Sequence, residues 1–150
     1  MSDLNSAVIT IYNSYLTSGL PPFGNIQRWE KTVIHGVAWN DQIDRNPKSD
    51  GKTAIDQTVL ITIPKLSMPT DKEYIDPAEY SNLPNDAENF WTLSFSTTEP
   101  TYIALGETRD LNDLFTIQSL RRDERVVTVA GVSDHLNFPG DLAGLEVRCL

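Results

Sequence analysis

Cysteine is almost missing from this chain. The only one, Cys149, stands beside the last residue, so no disulfide can form within the chain. That usage fits a reducing compartment. Cys149 is expected to pack as a small apolar residue of a last strand. Histidine is scarce too: His35, His135 and Cys149 are the only soft metal ligands, too few for a structural zinc site. His35 falls mid-strand on an apolar face and is expected to be a satisfied, buried or half-buried histidine. Basic residues are outnumbered, with Lys+Arg 12 against Asp+Glu 21 and a net charge of −9. Nucleic-acid binders gain affinity from Lys and Arg on phosphates. The balance therefore excludes tightly held DNA or RNA and an anionic membrane surface. It leaves room for a basic protein partner, or for a place beside DNA that must not stick. Residues 4–27 carry no charge, but Asn5, Asn13, Asn25, Pro21 and Pro22 interrupt them. A membrane span needs about 20 mostly apolar residues. No basic n-region opens the chain, so no signal peptide is expected, and the protein reads as soluble and made in a cytoplasm.

What is present fits a single domain over residues 1–150. A chain of this size buries roughly 68–70% of its unfolded surface, enough for one core. Three Trp, five Tyr and five Phe supply bulk for a small β protein.

The segments 7–13, 27–39, 58–63, 90–96, 101–106, 125–132 and 145–150 read as strands. In 27–39, period two places Val33, His35, Val37 and Trp39 on one face and Ile34 and Ala38 on the other. In 58–63, Val59, Ile61 and Ile63 share a face, and Pro64 stops the strand. In 90–96, Trp91, Leu93 and Phe95 share one, and 101–106 is expected to return beside it. In 145–150, Leu145, Val147 and Cys149 oppose Glu146 and Arg148. Residues 76–80 predict a short helix, with Asp76 as N-cap, Pro77 at N1 and Glu79 at N3. A second helix is expected over 110–120, from the spacing of Leu111, Leu114 and Phe115. About seven strands and two short helices without βαβ alternation predict a mainly β fold: an antiparallel barrel or sandwich with helical insertions.

Between two of these strands, residues 40–57 form a polar stretch with Asp41, Asp44, Arg45, Lys48, Asp50 and Lys52. Hairpin loops usually take about 2–5 residues, and longer patternless ones are functional or disordered. The segment is therefore expected to be a mixed-charge loop that contacts something. Gly51-Lys52-Thr53 resembles the end of a phosphate-binding loop. The pattern needs a glycine where Asn46 stands, and a helix rather than a strand afterwards. Asp44, Asn46 and Asp50 hint at calcium, but the EF-hand spacing and its closing Glu are missing. Ser133-Asp134-His135 holds the residue types of a catalytic triad, yet sequence neighbours rarely converge on one point, and no GxSxG elbow is present. A polar turn is expected there. Trp39 and Trp91 are expected in the core, while Trp29, before Glu30 and Lys31, fits either the core edge or an interface. No catalytic residue, cofactor or metal is expected.

The order of pieces carries a resemblance: ITIYN near the start, TVIHGVAW, the long polar loop, VLITIP, YIDPAEY, FWTL, then 115–117 and 127–129. Over about residues 8–130 this resembles the small minor-capsid or neck proteins encoded in the head-assembly regions of tailed bacteriophages and prophages. The resemblance implies a non-enzymatic virion protein, a stopper-type head-completion connector with a small β-barrel. It would form a homo-oligomeric ring between the portal or adaptor above and the tail terminator or tail protein below. The 40–57 loop would reach neighbouring subunits or the central channel and help retain packaged DNA. Acidic lining would let DNA pass by repulsion. The runner-up is a tail terminator or tail-completion protein. Less favoured is a small β-barrel enzyme or binding module using Asp134 and His135.

Overall fold

The computed structural model describes residues 6–18, 25–47, 53–80, 87–96, 100–112, 115–140 and 143–150. In chain order these give β1 (Ala7–Ser18), β2 (Asn25–Pro47), β3 (Thr53–Pro64), β4 (Glu73–Tyr74), α1 (Pro77–Tyr80), β5 (Phe90–Trp91), β6 (Tyr102–Leu105), α2 (Ile117–Asp123), β7 (Val126–Asp134) and β8 (Gly144–Cys149). Six strands close into a barrel in the order β1-β2-β3-β8-β7-β6, and β4 and β5 pair beside it. Every barrel ladder is antiparallel. The expected mainly β, barrel-type fold is the one found.

The interior follows from alternation. Val59, Ile61 and Ile63 of β3 face Leu145, Val147 and Cys149 of β8, all buried, while Glu146 and Arg148 point outward. Ile9, Ile11, Ile103, Val127 and Val129 complete the lining, and Trp91 and Leu93 pack against it. Burial contributes about 1.5–3 kcal/mol for each such side chain. Between β3 and β8 the chains nearly touch. A Cβ on Gly144 would meet the Ile63 carbonyl oxygen at 2.5 Å, so only glycine fits.

The other face of β1 builds a second, outer core. Tyr12 and Ala104 pack against Ile117 and Leu120, so α2 lies over the outside of β1 and β6. The Tyr12 hydroxyl donates to the Arg109 carbonyl and lies against the Thr108 hydroxyl. Burial pushes this phenol up from its usual range.

Four local expectations need correction. First, β2 carries a bulge. Ala7 sits opposite Val37 but Val8 opposite His35, which leaves Gly36 as an extra residue at φ 77°. An extra residue reverses the period-two phase. Ile34 and Val37 therefore both point inward, and His35 is exposed rather than buried. Second, the strand expected over 90–96 is only Phe90–Trp91, and it pairs in parallel with β4. Its expected partner, β6, pairs with β1 and β7 instead, and Phe95 is exposed. Third, the second helix begins at Ile117, with Thr116 as N-cap accepting from the Ser119 amide at 3.3 Å. Phe115 lies outside it and is exposed. Fourth, most of the 40–57 stretch is not a loop. β2 and β3 stay paired out to Pro47 opposite Thr53.

Candidate functional site

The feature that sets this barrel apart is how far its ladders outrun it. β3 pairs with β8 only from Val59 onward, yet its pairing with β2 continues through Thr58, Gln57, Asp56, Ile55, Ala54 and Thr53. Likewise β1 pairs with β6 only from Ile9 to Tyr12, while its pairing with β2 runs on to Ser18 opposite Asn25. Two two-stranded ribbons thus leave the barrel, and both are built on β2. At about 3.3 Å per residue, six pairs give the β2–β3 ribbon a reach of roughly 20 Å.

The expected contact residues fall along this ribbon. Asp41 lies at its base, opposite Val59. Its carboxylate accepts from Arg125, just ahead of β7, and that guanidinium also stands 5.8 Å from the Trp39 ring centre. The pair is half-exposed on both sides, so it orients the ribbon base more than it stabilises the fold. Further out, Asp44 sits opposite Asp56 and Arg45 opposite Ile55. Lys48, Asp50 and Lys52 lie outside the described residues. Asp44 and Asn46 are in extended, laddered backbone, which is not the geometry of a calcium loop. Trp29 is not part of this group. It is half-buried in the half of β2 that pairs with β1, 5.8 Å from the Tyr102 ring centre.

Trp29 also lines a cleft of about 370 Å³, with Tyr15 and Arg28 from the β1–β2 ribbon, Leu111 and Thr116 from the segment leading into α2, and Ile117 of α2 itself. Sequence reasoning missed this cleft. The only local signal was the aromatic pair Tyr15 and Trp29 on two strands that pair with each other. Nearby, Arg109 donates to Asp123 at 3.0 Å and stands 4.7 Å over the Phe115 ring. The Arg109 hydrogen bond holds the Asp123 carboxyl below its usual range.

On the other side, the segment after β3 seals part of β2. Ser67 donates to the Gly36 carbonyl at 2.8 Å. The Lys72 ammonium donates to Glu30 at 2.9 Å, the Lys31 carbonyl at 2.7 Å and the Thr32 hydroxyl at 3.2 Å. The Asn13 side chain does the same for β1. Its amide donates to the Thr92 carbonyl at 2.7 Å and accepts from the Thr92 amide at 3.2 Å. It stands in for a strand partner at the point where β6 stops.

Chemically reactive side chains are dispersed. Asp134 caps a turn by accepting from the Leu136 amide at 2.9 Å. The His135 ring packs on Phe138, 4.6 Å between centres. Cys149 lies inside the barrel, where burial pushes its thiol up to about 12. Among the described residues, no three His, Cys, Asp or Glu side chains gather as a metal site. No described helix is long and apolar enough to cross a membrane.

Fold and site together define a small closed β-barrel carrying paired ribbons, with ion pairs at the ribbon base and beside α2. The chain belongs to the family described as "Family of unknown function (DUF6751)", whose model matches residues 4–149. No curated protein and no solved structure matched the chain.

Proposed function

We propose that this chain is a structural protein of the bacteriophage neck, a head-completion connector of the stopper type. It would form a ring between portal and tail and help hold packaged DNA. The ordered sequence resemblance over residues 8–130 motivates the reading, and the β2–β3 ribbon supports it. A ribbon whose ladder runs about 20 Å past the β8 pairing has the reach to touch a neighbour or a channel. The net charge of −9 suits passage of DNA without adhesion. Screening confines that repulsion to about 8 Å at physiological salt, so it acts where the ribbons line the channel.

Deleting the gene from its phage or prophage is the test. Full heads without tails, or leaking heads, are expected by negative-stain imaging. Normal infectious particles would refute the proposal. Co-purification separates the neighbouring assignment: portal-containing heads for a head-completion protein, free tails for a tail terminator or tail-completion protein.

A further inference from the structure

A closed barrel removes sheet edges, but a ribbon that leaves the barrel restores them. Among the described residues β2 pairs with β1 over 25–37 and with β3 over 38–47, never with both, and two stretches of its partners are likewise paired on one side only. On β3, residues 53–58 pair with β2 and lie beyond the last β8 contact at Val59. On β1, residues 14–18 pair with β2 and lie beyond the last β6 contact at Tyr12. Among the described residues, no further backbone hydrogen bond reaches either stretch.

Natural proteins blunt exposed edges with proline, lysine or bulges. β2 is guarded in this way along much of its length. Ser67 and Lys72 cover it between Lys31 and Gly36, and its distal part carries Asp44, Arg45 and Pro47. The two stretches named above are not guarded. Residues 14–18 read SYLTS and residues 53–58 read TAIDQT, with neither proline nor lysine and a single charge, Asp56. Both ladders run there without a register shift. Threonine, tyrosine and isoleucine are good strand formers.

We infer that these edges belong to one interface: residues 53–58 of one copy add as a strand to residues 14–18 of the next copy. Length and charge favour this occupant. The stretches match in size, six residues against five. Pairing two β3 edges would bring two Asp56 positions together, and like charges across a ladder repel, whereas the β1 edge carries no charge. A two-fold contact would also leave one of the two edges open in every subunit. The head-to-tail contact fills both with a single rotation, and such contacts form a ring where that rotation closes. The inference rests on the ring reading above and specifies how its subunits join.

Thiol cross-linking of the full-length protein tests it, because the native Cys149 is buried in the barrel and stays silent. The double variant Leu16→Cys/Gln57→Cys, treated with a short bis-maleimide, should give a ladder of species larger than dimers. Each single variant should stay monomeric on a denaturing gel. Dimers from either single variant would mean a two-fold contact and would overturn the inference. So would the absence of a ladder in a double variant whose circular dichroism matches the parent. As a second variant set, proline is placed at Ile55 and, separately, at Asp56. One of these adjacent amides faces β2 and the other faces outward. The outward one should abolish the ladder without lowering the thermal midpoint. Retention of the ladder by both variants would overturn the inference. Protein found at the neck without cross-links would sink the strand contact alone. Cross-links in a protein absent from particles would sink the neck reading alone.

Discussion

Replacing Asn13 with alanine removes three hydrogen bonds from the place where β1 loses its β6 partner. The Asn13 amide donates to the Thr92 carbonyl and to the Thr101 hydroxyl, and its oxygen accepts from the Thr92 amide. All three residues are 3% exposed or less. The truncation leaves the Thr92 N–H and C=O buried without partners, at about 1–3 kcal/mol for each group. Water entering the vacated space recovers part of that, so the expected loss is roughly 2–4 kcal/mol. For a chain of this length the thermal midpoint should fall by roughly 5–15 °C. The urea midpoint should fall by about 1–2 M with an unchanged slope. Asn13→Asp sharpens the test. It keeps an acceptor for the Thr92 amide but sets a carboxylate oxygen against the Thr92 carbonyl. The folded pKa of that carboxyl then lies above its unfolded value. The native state binds more protons, so the destabilisation should be full near neutral pH and shrink as pH falls toward 4. The Thr101 hydroxyl also accepts from the Ser94 amide at 2.8 Å. A cycle of Asn13→Ala with Thr101→Val should therefore show coupling of about 0.5–3 kcal/mol. A loss below about 0.5 kcal/mol for Asn13→Ala, or additive single effects, would refute the network described above.

Other consequences can be measured on the same protein. Gly144→Ala should cost about 1–3 kcal/mol in denaturant titration, because the new methyl meets the Ile63 carbonyl rather than a movable side chain. An unchanged midpoint would show that β3 and β8 separate easily. Lys72→Met should cost about 1–3 kcal/mol, since it strands Glu30 and the Lys31 carbonyl. Adding Glu30→Gln should then change little, and fully additive losses would count against a shared contact. Cys149 should resist a disulfide reagent at pH 8 in the native protein and react once urea unfolds it, because burial holds the thiol protonated up to about 12. Rapid native labelling would place it outside the barrel.

The parts of the fold legible in the sequence are those with one buried face. Val59, Ile61, Ile63 and Leu145, Val147, Cys149 alternate because the barrel interior requires it, and α1 announced itself through Asp76 and Pro77. Three features left no local trace. The Gly36 bulge lies inside an apolar run that reads equally well in either phase, so strict alternation places Ile34 and Val37 on opposite faces although both point inward. β6 found distant partners, and β1 pairs with it across 90 to 96 positions, which neighbouring sequence does not encode. The ribbon was read as a loop because its polar sequence lacks the alternation that a buried face imposes. The Asp41–Arg125 contact joins positions 84 residues apart and was equally silent. Leu111 packs on the outer core from outside any helix, where an apolar residue mimics helical spacing, and Leu114 lies outside the described residues.

β2 has a further mechanical consequence. It is 23 residues of one continuous strand, a contour of about 75 Å, and the bases of both ribbons are cut from it. A pull along one ribbon tip is carried to the other by covalent bonds, with the flanking ladders strained in parallel rather than peeled one bond at a time. The barrel thus works as a clamp around a single spar. Deleting Gly36 would remove the bulge that lets Ile34 and Val37 both face inward, and so would set the two halves of that spar out of phase with each other.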